Sequence, residues 1–149
     1  MAGFLATIVM SLLGFVAQGG GPAPTALLWS QLTGVDPASG QATTMGLVLH
    51  FLYGTLMGLL FAGLVIYMAL KERWVAYGLV WGLVLWLASS ALWTPLIRRT
   101  GFLENSLGAA LLLGALSHLV YGAVLGLILR FWLGRVDVAG ERRVGRPVA

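Results

Sequence analysis

Residues 45–70, MGLVLHFLYGTLMGLLFAGLVIYMAL, form a continuous stretch without a charged side chain. A helix needs roughly 20 apolar residues to cross the hydrocarbon core of a bilayer, and this stretch is long enough. Residues 74–97 and 107–133 have the same character, and a shorter apolar stretch covers residues 3–17. The sequence therefore predicts an all-α fold: an integral membrane bundle of four transmembrane helices, forming a single transmembrane domain at 1–134.

The overall composition supports a membrane location. Of the 149 residues, 59% are hydrophobic and 9% are charged, whereas a soluble domain is about half apolar and a quarter charged. A water-soluble fold of this size could not bury so much apolar surface. The chain contains no cysteine, which excludes disulfides, thiolate metal sites and cysteine nucleophiles.

The basic residues predict how the chain is oriented, because the side of the membrane with more Lys and Arg is usually cytoplasmic. With four spans, the N-terminus, the turn near 71–73 and a basic tail at 135–149 share one side. That side holds Lys71, Arg73, Arg130, Arg135, Arg142, Arg143 and Arg146, and the other side holds Arg98 and Arg99. We therefore expect a multi-pass protein of the cell membrane with both termini cytoplasmic. Residues 25–33, in the first external connection, predict a short interfacial helix.

An internal repeat is visible when the second and fourth spans are compared. Residues 50–58 and 118–126 both read H-x-x-Y-G-x-x-x-G, at an offset of 68 residues, and contain the only two histidines of the chain. The match predicts two parallel helix-pair repeats. Glycines four residues apart allow close helix packing in lipid, and we assign this role to Gly54, Gly58, Gly78, Gly82, Gly122 and Gly126.

The paired H-x-x-Y-G stretches, a proline-bearing loop after the first span and Thr94-Pro95 after the third resemble an uncharacterised family of small four-helix membrane proteins from bacteria and archaea. The resemblance covers most of the chain, from Leu5 to Trp132. It implies a four-helix fold and no particular activity.

The two histidines are the candidate functional residues, because an ionisable side chain inside a span usually faces the bundle interior. One hypothesis is that they bind a b-type haem as axial ligands. Its site would comprise His50, His118, Tyr53, Tyr121, Gly54 and Gly122. The alternative is structural, with each histidine hydrogen-bonded to a tyrosine hydroxyl or a carbonyl across the bundle. A zinc or copper site would need ligands from a partner, because it requires three or four donors.

Function is less constrained by the sequence than the fold is. No span contains an acid or base that could act with a histidine, so we assign no catalytic residue and lean against an enzyme. The leading interpretation is a non-enzymatic integral membrane subunit or assembly factor. It would pack by its glycine faces with other membrane subunits, or with copies of itself, inside a larger complex. The alternatives are the haem-binding electron-transfer protein and a small repeat-built transporter acting as an oligomer. Scattered basic residues do not indicate nucleic acid binding.

The charge asymmetry makes a topological prediction. A reporter domain fused after Ala149 should be active only on the cytoplasmic side, as measured by paired reporters that fold on opposite sides of the membrane. An external signal would mean that the segment at 3–17 does not cross the bilayer or that the charge rule fails for this chain.

Overall fold

The computed structural model describes residues 1–17, 24–68, 73–93 and 109–144, and the regular structure in these residues is entirely helical. The helices are α1 (Ala2–Ala17), α2 (Pro24–Thr33), α3 (Gly40–Tyr67), α4 (Trp74–Ala88) and α5 (Ala109–Val144). A π-helical turn, Ser89–Trp93, continues α4. The all-α prediction is confirmed, and the short helix expected at 25–33 is present as α2.

Three of the helices contain a stretch long and apolar enough to cross a membrane: Gly40–Tyr67, Trp74–Ala91 and Leu112–Leu133. The apolar part of α1, Ala2–Gly14, is shorter, so a fourth crossing remains a prediction. The charged segments at 71–72 and 98–106, which were predicted to lie between spans, fall outside the described residues. The helix α5 continues past the predicted domain boundary at 134.

The start of α3 lies five residues before the predicted span, and Ser39 explains the difference. The Ser39 side chain accepts a hydrogen bond from the backbone N–H of Ala42, which satisfies one of the donors left free at a helix N-terminus. Residues 40–44 include polar side chains, so they lie outside the apolar stretch that predicts the span.

The helices α4 and α5 form an antiparallel pair whose backbones touch. A Cβ atom built at Gly78 would overlap the carbonyl of Gly122, and one built at Gly122 would overlap the carbonyl of Gly78. One turn away, a Cβ at Gly82 would overlap the carbonyl of His118. Only glycine permits this approach, since any side chain would push the two helices apart.

The helices α1 and α3 form a second antiparallel pair with the same kind of contact. A Cβ at Gly58 would lie 2.5 Å from the Cα atom of Gly3, and one at Gly54 would overlap the Thr7 side chain. The Thr7 hydroxyl bonds back to the carbonyl of Gly3, which keeps this polar group satisfied inside the contact. The predicted packing role of the paired glycines is therefore observed within the chain itself.

The two pairs join through a common core. The helix α1 packs against α5 as well as α3, and the core contains Ala6, Phe61, Tyr121 and Leu125. Phe61 of α3 contacts Trp81 of α4, with 5.9 Å between the ring centroids. Only six residues separate α3 from α4, so these two neighbouring helices run in opposite directions. Because α4 is also antiparallel to α5, helices α3 and α5 run in the same direction.

The short helix α2 forms a hairpin with the first part of α3. A Cβ at Gly46 would lie 2.6 Å from the backbone nitrogen of Ala26, and Ala26 is 1% exposed. The α2 helix therefore covers one face of α3 near its N-terminus and ends there.

The backbone contacts predict how single glycines affect stability. Gly122→Ala should destabilise the folded protein by about 1–3 kcal/mol, because its Cβ meets a backbone carbonyl that cannot move aside. Thermal unfolding in detergent measures the effect. The matched control is Gly63→Ala in α3, where the added Cβ would meet nothing within 4 Å, and where helix propensity should raise stability by up to about 1 kcal/mol. An unchanged melting temperature for Gly122→Ala would contradict the contact.

Candidate functional site

Both repeat motifs lie near the middle of their spans. Tyr53 lies at the midpoint of Gly40–Tyr67, and Tyr121 lies within two residues of the midpoint of Leu112–Leu133. Each histidine is one helical turn, about 5 Å, towards the N-terminal end of the same helix. Since α3 and α5 are parallel, the four side chains occupy matching positions within the two apolar helices.

The second motif is satisfied inside the chain. The Tyr121 hydroxyl donates a 2.6 Å hydrogen bond to the carbonyl oxygen of Gly54 on α3, and Tyr121 is 1% exposed. The Nδ1 atom of His118 lies 2.8 Å from the carbonyl oxygen of Gly114. A carbonyl can only accept, so Nδ1 carries the proton in the neutral ring and Nε2 keeps a free lone pair. The histidine therefore bonds within its own helix, not across the bundle as the structural alternative expected.

The first motif lacks these bonds. Tyr53 is 37% exposed, and within the part of the chain that the structure describes its hydroxyl has no hydrogen-bond partner. His50 is half-buried and has a ring contact with Phe51, but no described residue hydrogen-bonds to its imidazole. Lipid tails offer neither donors nor acceptors, so inside an apolar span these two polar groups gain no hydrogen bond from the lipid.

The structure brings the predicted site residues close to one another, with different surroundings. His50 lies near His118, and Tyr53 lies near Tyr121. Gly54 and Gly122 lie against Thr7 and Gly78, so the space beside these glycines is taken by helices. A flat cofactor would have to approach the imidazoles from another direction.

Two other features of the described residues limit the chemistry. No group of three or more His, Asp or Glu side chains lies together among them, so the histidines have no third ligand there. An apolar groove of about 630 Å³ lies beside Phe4, along the face of α3 from Thr44 to Leu59. Neither histidine lines this groove.

The sequence interpretation missed the contributions of α1 and α2 to packing. Gly3, Thr7 and Ser11 follow one another at four-residue intervals, the same spacing as the paired glycines, with a hydroxyl residue in place of glycine. Ser11 also bonds back to the carbonyl of Thr7. This spacing of small residues was a detectable signal for a helix contact. No such signal marked the pairing of Ala26 with Gly46.

Comparison with known proteins identifies the family. The model of a family of unknown function, DUF6789, matches residues 1–139. The chain belongs to this family. The predicted resemblance to an uncharacterised family is thereby confirmed at that level. Searches of curated proteins and of solved structures found no match.

The contrast between the two tyrosines can be measured. Tyr121→Phe should lower the free energy of unfolding by about 0.6–1.5 kcal/mol, because it removes a buried bond between α5 and α3. Tyr53→Phe should change the stability of the isolated chain by much less. Thermal or denaturant unfolding of the two variants in the same detergent tests this, and equal losses would mean that the two hydroxyls are equally engaged.

Proposed function

We propose that this chain is a non-enzymatic integral membrane subunit or assembly factor, and that a partner helix covers the uncovered face of α3. The single observation that carries the proposal is the contrast between the motifs. The same residue pattern is bonded inside the chain in α5 and lacks described partners in α3. A tyrosine hydroxyl and an imidazole inside a membrane span are stabilised when another polypeptide supplies the missing donors and acceptors.

The partner surface is not the glycine faces that the sequence suggested. Those faces are occupied by contacts within the chain. Side chains of α3 are exposed on more than one side of the helix. We take as the partner surface the side that carries Tyr53, with four exposed side chains spaced three or four residues apart, and call it the open face: Tyr53, Leu56, Leu60 and Leu64. Such spacing places them on one side of a helix, where a second helix can pack lengthwise.

The proposed duplication is reflected in the contacts of the paired glycines. Gly54 and Gly122 occupy matching motif positions, and each lies against an antiparallel helix, α1 in one case and α4 in the other. This correspondence supports two parallel helix-pair repeats, with α1 as the fourth span, and the asymmetry of basic residues supports cytoplasmic termini. The accessory role then follows from a duplicated scaffold in which only one copy of the motif is satisfied internally. The transporter alternative remains a prediction.

The proposal is tested by the size of the particle that contains the chain. After extraction from cell membranes in a mild detergent, the protein should migrate on native gels well above one 15.8 kDa chain. Leu60→Trp, on the open face, should shift it towards the single chain.

The matched control is Leu59→Trp, since Leu59 has the same depth and a similar exposure of 62% against 51% for Leu60, but lies about 100° around the helix. Migration of the unaltered protein as a single chain would contradict the proposal.

Haem binding is a second candidate, and one observation favours it. The bond from Nδ1 of His118 to a backbone carbonyl is the arrangement that commonly fixes a metal-binding histidine, leaving Nε2 for the metal. His50 and His118 could hold a b-type haem as axial ligands, where the haem would supply one-electron chemistry.

The haem candidate makes a spectroscopic prediction. Protein purified from cells with adequate haem should show a Soret band, and His50→Ala or His118→Ala should each abolish it. The double variant should lose little more of the Soret band than either single variant, because two axial ligands act as a unit. A colourless preparation of the unaltered protein would remove this candidate.

A further inference from the structure

We infer that the partner on the open face is a second copy of this chain, and that the two copies pair through α3, with Tyr53 of each donating a hydrogen bond to His50 of the other. This inference rests on the proposed function, because it names the partner at the same surface. Three observations lead to it, and each concerns the open face of α3, which follows the α2 contact along the helix.

The first observation is that this face of α3 already accepts a closely packed helix. Gly46, which α2 covers through Ala26, precedes Tyr53 by seven residues, or about two turns, and so lies on the same side of the helix. The α2 contact ends there, while Leu60 and Leu64 further along are 51% and 44% exposed. A helix from another chain on the open face would continue an interface that α2 begins.

The second observation is that the polar groups on this part of α3 are complementary to themselves. A tyrosine hydroxyl donates a hydrogen bond, and a neutral imidazole accepts one at its unprotonated nitrogen. Both groups lack partners among the described residues. A two-fold pairing presents each donor to the acceptor of the other copy, so one contact is made twice and both hydroxyls and both acceptor nitrogens gain a partner. A lipid or a purely apolar helix would leave both unsatisfied.

The third observation concerns depth. Two copies inserted in the same orientation are related by an axis along the membrane normal, so their α3 helices run parallel and equal residues lie at equal depth. Aromatic side chains on helices lean towards the N-terminus. Tyrosine is longer than histidine, so the Tyr53 hydroxyl is carried further in that direction and approaches the level of the His50 ring. Donor and acceptor on neighbouring parallel helices therefore meet at the same level.

Disulfide trapping tests the pairing directly, since the chain has no cysteine of its own. Leu60→Cys and Leu59→Cys are reconstituted as purified full-length protein in phospholipid vesicles and mildly oxidised. A disulfide requires Cα atoms within about 7 Å, so Leu60→Cys should give a covalent dimer and Leu59→Cys should give much less.

Adding Tyr53→Phe to Leu60→Cys should reduce the trapped dimer by roughly threefold to tenfold, and His50→Phe should do the same. The double change should reduce it no further, because both groups belong to the same bond. The melting temperature of each variant in detergent shows that the fold is retained.

The outcomes separate the inference from the proposed function. Equal trapping of Leu60→Cys and Leu59→Cys, or no effect of Tyr53→Phe, would overturn the inference. A Leu60→Cys adduct that forms only in native membranes and contains a different protein would also overturn it, while leaving the subunit proposal in place. An absence of any adduct, together with migration of the unaltered protein as a single chain, would overturn both.

Discussion

The contact between the backbones of α4 and α5 at Gly78 and Gly122 is the constraint on which the rest of the structure depends. In lipid, helices gain little from burying apolar side chains, so they associate through close van der Waals contact and polar bonds. The glycine faces let α4 and α5 approach until each carbonyl meets the Cα of the other helix. With α5 held there, Tyr121 reaches the carbonyl of Gly54, and α1, which packs against both α3 and α5, holds α3 in place.

This arrangement uses nearly identical sequence motifs for two different purposes. In α5, His118 and Tyr121 are bonded to backbone carbonyls, and Tyr121 lies in the core. In α3, the glycines pack in the same way, but His50 and Tyr53 lack described partners, and the exposed leucines continue the same face. The difference arises because α1 packs against both α3 and α5, whereas α4 packs mainly against α5.

The apolar stretches predicted the helical membrane fold well, because lipid restricts a spanning chain to few architectures. The glycine spacing correctly placed Gly78 against the facing helix, while the equal depth of His50 and His118 that the shared motif implies stays a prediction. Sequence could not show which glycine faces which helix, since every long apolar helix offers several sides. It also missed Gly3 and Thr7, where threonine replaces glycine in the spacing. The start of α3 depended on a capping hydroxyl outside the apolar stretch, which hydropathy does not detect.

The most direct measurement is the distance between the Gly78 carbonyl carbon and the Gly122 α carbon, obtained by solid-state NMR on labelled protein in lipid. A Cα–H group in contact with a carbonyl oxygen has a C···O separation of about 3.3–3.6 Å, so the two carbons should give a strong dipolar contact at about 4 Å. Ordinary helix packing separates the axes by about 8–10 Å. A carbon–carbon distance in that range would mean that the backbones do not touch and would contradict the account.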